Sequence, residues 1–238
     1  MSCGGEEHMR KISSVVLVHG AWHSPSCWSQ VACRLLASGL DVRVPELRSV
    51  GPAAGGLAAD AEVVRAALAE APGEAVVVAH SYGGLPVTEV AARAGNVAHL
   101  VYLCAFMLGP GESLLSAIGG QEPPWWITST DGRTMLPDRA RDIFYNDCSD
   151  EVAAAAAAAL QPQSKASFSE PLGAAAWQEL PSTYVICERD NAIPVFAQEA
   201  MSQRARDVRR LDAGHSPFLS QPDEVAALVR DIVAAAAG

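Results

Sequence analysis

Apolar and polar positions along the chain follow two rhythms. Short, nearly continuous apolar runs occur at Ile12–Val18 and at residues 40–45, 75–79, 97–104, 183–187 and 208–211, and each predicts a buried strand. Between them, residues 28–38, 57–71, 82–94, 195–204 and 223–237 carry helical spacing, with Gly39 stopping the first helix and Pro72-Gly73 the second. Strands alternating with helices predict a mostly parallel sheet covered on both faces, in which ligands bind at the carboxyl ends of the strands.

The rhythm breaks between about residues 107 and 180. This stretch holds "GPGES", "EPPWW", a "TDGR" turn and the helix-favouring "EVAAAAAAAL". It predicts an insertion that caps the carboxyl edge of the sheet, set into a core of residues 12–106 and 181–238. Residues 1–11 are expected to be a mobile N-terminal stretch.

Composition narrows the picture. The 238 residues suit one sizeable domain, and with half of them hydrophobic and 18% charged the chain is globular rather than disordered. Its net charge of −10 and lack of a basic cluster argue against nucleic acid as a partner. No secretory leader and no apolar run of eighteen residues is present, so a cytoplasmic protein without a membrane partner is expected. The six cysteines form no C-x-x-C pair and are read as reduced thiols, with neither a disulfide framework nor a metal site.

Candidate chemistry gathers at four strand ends. Ala79-His80-Ser81-Tyr82-Gly83, followed by Gly84, resembles the G-x-S-x-G turn that exposes a nucleophilic serine, with the small Ala79 in place of the first glycine. "VVLVHGAW" ends a strand in His19-Gly20 and leads into a loop able to supply a backbone N–H from Ala21, which with that of Tyr82 would hold an oxyanion. Of the six histidines, His215 in "LDAGHSPFLSQPDE" has the place of a general base, while His8 lies near the N-terminus, His19 and His23 belong to the oxyanion loop, His80 abuts the serine and points away, and His99 opens a strand. In "STYVICERDNAIP", Asp190 or Glu188 would orient that histidine.

From Ile12 to Val233 the chain resembles the α/β-hydrolase branch that contains plant methylesterases of the methyl salicylate type, plant hydroxynitrile lyases and many bacterial esterases. "LVHGAW", "AHSYGG", "VYLCAFMLGPGESL", "IFYNDC", "LQPQS", "STYVICERDNAIP" and "GHSPFLSQPDE" carry the resemblance. It implies an α/β-hydrolase fold with a sheet of about six strands and a helical cap inserted after the strand ending near Cys104. It also implies a Ser81-Asp190-His215 triad, Asp190 being favoured by the D-x-x-I-P stretch, an oxyanion hole at Ala21 and Tyr82, and no cofactor.

The lyases resembled carry Thr and Lys where this chain has Gly20 and Ser216, so hydrolysis of a small, largely apolar ester is expected. A C–C lyase, a biosynthetic lactone or thioester hydrolase or cyclase, and a non-catalytic binder are the alternatives. Gly20, Trp22, Phe106, Trp125, Trp126 and Phe144 are the candidate substrate contacts, and a homodimer through the cap or a sheet edge is compatible with the sequence.

Overall fold

The computed structural model describes residues 12–52 and 55–237. The N-terminal stretch expected to be mobile, with His8 and Cys3, lies outside them.

Six parallel strands form the central sheet in the order β2-β1-β3-β4-β8-β9. They are β1 (Ile12–Val18), β2 (Asp41–Arg43), β3 (Glu74–His80), β4 (Val97–Leu103), β8 (Ser182–Cys187) and β9 (Asp207–Leu211). Helices α1 (Ser29–Ala37) and α10 (Pro222–Ala237) cover one face, while α2 (Leu57–Glu70), α3 (Gly84–Val90) and α8 (Val195–Ser202) cover the other. The inner strands carry nearly continuous apolar runs because both of their faces are buried. On β3, Val77 and Ala79 pack towards α2, and Val76 and Val78 towards α1.

The register brings the carboxyl ends of the strands into line. Val18 pairs with Ala79 and His80 pairs with Leu103, so Gly20, Ser81 and Cys104 emerge side by side. Since β2 and β3 flank β1 on opposite sides, the crevice where the winding reverses opens between β1 and β3.

The stretch between β4 and β8 contains the short helices α4 (Leu114–Ala117), α5 (Ala140–Phe144), α6 (Asp150–Ala158) and α7 (Ala166–Ser169). The alanine run forms α6, whose first turn is capped by the Ser149 hydroxyl accepting from the Val152 N–H at 3.3 Å. Where a helical insertion was expected, a three-stranded antiparallel sheet is also present: β5 (Trp126–Thr128), β6 (Thr134–Pro137) and β7 (Gln163–Ser164). Its strands are two to four residues long, too short to show a two-residue period in the sequence. Other differences are smaller. The expected strand at 40–45 contracts to β2, and the helix expected over 82–94 is α3 flanked by 3-10 turns at Ser81–Gly83 and Ala91–Arg93. A single helical turn, α9 (Pro217–Ser220), precedes the last helix, α10.

At Gly83 and Gly84 the passage from β3 into α3 leaves no room for a side chain. A Cβ on Gly84 would lie 2.2 Å from the Phe106 carbonyl oxygen, and one on Gly83 would lie 2.6 Å from that of His19. Gly84→Ala should therefore displace the turn or the strand exit it touches, costing roughly 1–3 kcal/mol. A urea-unfolding midpoint clearly below that of the wild type is the expected result.

Candidate active site

Ser81 has φ of +52°, a left-handed conformation that is strained for a residue with a Cβ. It is held there from several sides. Its carbonyl accepts from the Phe106 N–H at 3.0 Å, and Gly83 and Gly84 let the adjoining turn press against β1 and the β4 exit. Such a turn lifts the serine off the sheet edge towards the crevice.

The loops that carry the candidate acid and base follow β8 and β9. Asp190 Oδ2 accepts from His215 Nδ1 at 2.8 Å and from Gln198 Nε2 at 3.0 Å, and its Oδ1 accepts from the N–H groups of Ala192 and Ile193 at 2.7 and 2.9 Å. Both carboxylate oxygens are thus oriented, and the pair is buried. Glu188 instead pairs with Arg210 at 3.2 Å on a half-exposed surface. Gln198 also bridges the main chain of Cys187 and Ile193, tying α8 to the loop.

Ser81 and His215 share the wall of one cavity of about 60 Å³ with Ala21, Tyr82, Trp22, Phe106, Trp125, Trp126 and Phe144. Phe168 and Ile193 complete much of the remainder, and sequence reasoning had not singled them out. Gly20 is not part of this wall. A Cβ there would fall 2.8 Å from His80 Nδ1 and 2.9 Å from the Ser81 Cβ, so the glycine permits close contact of the oxyanion loop with the serine turn. An outer groove of about 310 Å³ along α8 shares Phe106, Ile118, Ala192 and Ile193 with the inner cavity.

Trp22 has φ of +61° and is fixed at both backbone and ring. Its N–H donates to Gln163 Oε1 at 3.0 Å, its carbonyl accepts from the Gln161 N–H at 2.9 Å, and its indole N–H donates to the Met135 carbonyl at 3.0 Å. The rings of Trp125, Trp126, Phe144 and Phe168 surround it at centroid distances of 5.5–6.0 Å. Gln163 continues to the Ser49 hydroxyl at 2.9 Å, the Ser49 N–H donates to Asp60 Oδ1 at 2.8 Å, and the Tyr82 hydroxyl donates to Asp60 Oδ2 at 2.6 Å. One buried network thus joins both candidate oxyanion segments. Asp60, which the sequence hides on an Ala-rich helix, is its centre, and burial raises its pKa against the hydrogen bonds that lower it.

His19, His23 and His80 are buried near the serine. Burial lowers His19 to about 4 and His23 to about 3, and their Nδ1–H groups donate to the carbonyls of Gly20 and Ala21 at 2.9 and 2.8 Å. Their Nε2 atoms accept from the Leu47 N–H and the Tyr145 hydroxyl. Burial also pushes His80 well below its ordinary value, and its Nε2–H donates to the His215 carbonyl at 2.8 Å. Among the described residues, the group with ligand atoms close together is His80, Cys104 and His215, but His80 and Cys104 both bond the His215 carbonyl and His215 Nδ1 serves Asp190.

The sequence pattern of the alpha/beta hydrolase family matches residues 15–228. The chain belongs to this family. It is 33% identical to the alpha/beta hydrolase nvfD of Aspergillus novofumigatus, over 92% of this chain and 95% of that one. Methylesterase 18 of Arabidopsis thaliana is 27% identical, over 88% of this chain and 93% of its own. The crystal structure of a pyrethroid hydrolase from Sphingobium faniae JZ-2 superposes with a TM-score of 0.81 at 25% identity, covering 94% of this chain and 98% of that one. The resemblance to the branch containing plant methylesterases therefore holds across nearly the whole α/β hydrolase. Among the described residues, no helix is long and apolar enough to cross a membrane.

The buried histidines make folding sensitive to acid. An unfolded histidine titrates near 6.5, whereas His19 and His23 titrate at about 4 and 3 when folded. Below pH 6.5 the unfolded chain therefore binds more protons, and each such residue withdraws about 1.4 kcal/mol of stability per pH unit until its folded pKa is reached. Full stability is expected above pH 6.5, with a steep fall in the unfolding temperature between pH 6.5 and 4. Calorimetry across this range should also register proton uptake on unfolding.

Proposed function

We propose that this α/β hydrolase is a serine carboxylesterase acting on a small, largely apolar ester. The observation that carries the reading is the strained Ser81 sharing an apolar cavity with a His215 whose other ring nitrogen is held by Asp190. His215 Nε2 takes the Ser81 hydroxyl proton as Oγ bonds to the ester carbonyl carbon. The N–H groups of Ala21 and Tyr82 stabilise the oxyanion. The intermediate collapses, the C–O bond to the alcohol breaks, and His215 returns the proton to the departing oxygen. Water, deprotonated by His215, then attacks the acyl-enzyme and releases the acid.

The cavity wall favours hydrolysis over release of a stabilised anion such as cyanide. No lysine or arginine is among its described lining residues, and Ser216 follows the histidine. The insertion supplies Trp125, Trp126, Phe144 and Phe168, so it serves as the cap that selects substrate by apolar contact. The inner space admits one small half of the ester, and the groove along α8 provides room for the other. Related proteins named hydrolases and methylesterases support the reaction class.

Hydrolysis of p-nitrophenyl acetate and of an aromatic methyl ester tests the proposal. The wild type should turn over at least one of them, with a burst of p-nitrophenol when the acyl-enzyme accumulates. Ser81→Ala or His215→Ala should lower kcat by roughly 10³-fold or more. A Ser81→Ala protein keeping a tenth of wild-type turnover would overturn the assignment.

Gln198→Leu should give a milder loss. It removes the side-chain donor to Asp190 Oδ2 and leaves the two backbone donors to Oδ1 in place. A fall in kcat of roughly tenfold, with the burst retained, is expected for the lost hydrogen bond to the carboxylate, together with a lower unfolding midpoint because the main chain of Cys187 and Ile193 loses the same side chain.

A further inference from the structure

Residues 143–148, the "IFYNDC" stretch, lie against both loops that carry the acid and the base. Asp147 Oδ2 accepts from the Gly214 N–H at 2.7 Å and from the Ser220 hydroxyl at 2.9 Å, and its side chain is only 3% exposed. A Cβ on Gly214 would lie 2.4 Å from Asn146 Oδ1 and 2.6 Å from Asp147 Oδ1, so glycine is what admits the carboxylate to that amide. Asn146 Nδ2 donates to the Arg189 carbonyl at 2.9 Å, and Asn191 Nδ2 donates back to the Asp142 carbonyl at 2.8 Å. These bonds fall on the residue before His215 and on both neighbours of Asp190.

We infer that Asp147 is a positioning residue that holds the His215 imidazole in line with Asp190. The His215 backbone is gripped from two sides. Asp147 holds the preceding amide from the insertion, and His80 donates to the His215 carbonyl from the core. The Asp190–His215 contact is a single hydrogen bond between two separate loops, so its length depends on what fixes their spacing. Asn146 and Asn191 brace the acid loop against the same insertion stretch. Phe144, three residues before Asp147, places its ring 5.5 Å from that of His215, so the segment that lines the substrate cavity also sets the base. This inference rests on His215 being the base proposed above.

The test compares Asp147→Ala and Asp147→Asn with the wild type by two readouts. One is the kcat and KM for p-nitrophenyl acetate. The other, independent of turnover, is the downfield proton NMR resonance of the His215 Nδ1–H, identified by its absence in His215→Ala. Asp147→Ala is expected to broaden or abolish the resonance and to lower kcat at least tenfold while KM stays within threefold. Asp147→Asn, whose amide oxygen still accepts from Gly214, should restore both to within threefold of the wild type. If Asp147→Ala does not fold, Asp147→Ser is read in the same way, its side chain being too short to reach the amide. A folded Ala or Ser variant with unchanged resonance and kcat overturns the inference, as does a fall in kcat with the resonance intact. Loss of the resonance in the variant, alongside a wild type that hydrolyses no ester, supports the positioning role and overturns the esterase reading instead.

Discussion

The left-handed backbone of Ser81 is the constraint on which the rest of the site depends. A residue with a Cβ does not adopt that conformation without compensation, and here the compensation is contact on every side. Gly83 meets the carbonyl of His19 at the end of β1, and Gly84 meets that of Phe106 beyond β4. Gly20 in turn lies directly against His80 and Ser81. The serine is thereby fixed relative to three adjacent strand ends rather than by its own turn alone. Because the strands are parallel and their registers aligned, the oxyanion loop, the serine and the β4 exit arrive at one edge together.

Two polar systems connect this edge to the insertion. The first runs from Tyr82 through Asp60, Ser49 and Gln163 to Trp22, and it joins the candidate oxyanion segments to β7. The second joins Asp142, Asn146 and Asp147 to the acid and base loops. Buried polar groups are costly unless each finds a partner, so such networks admit few alternative arrangements. The aromatic rings around Trp22 fill the space between the two systems and make the cavity apolar. Neutral histidines suit this environment: each of His19, His23 and His80 gives its ring proton to a backbone carbonyl, and burial disfavours a second proton.

Long-range contacts account for most of what sequence reasoning missed. Asp60 looks like an ordinary helix acid until Tyr82 and Ser49 are found beside it, and Gln198 looks like a surface amide until β8 and Asp190 close around it. Gly20 is a similar case: the sequence marks it as a candidate substrate contact, whereas in the fold a Cβ there would meet His80 and Ser81. The small sheet of the insertion was hidden by its short strands, whose pairing is made by partners up to about thirty residues apart.

The sequence by itself determined the architecture and offered the candidate residues. Continuous apolar runs can be satisfied only by strands buried on both faces, the intervening helices make those strands parallel, and parallel strands deliver their carboxyl ends to a common edge. Ser81, Asp190 and His215 stand out as candidates because each follows such a run, with glycine or a turn behind it. The tertiary structure alone set Asp190 against His215 and Glu188 against Arg210, drew the aromatic side chains of the insertion over Trp22, and tied Asp147 to the amide before His215. Local pattern sets which face of an element is buried. Which polar groups meet across that burial depends on packing between segments far apart in the chain, and no local period encodes it.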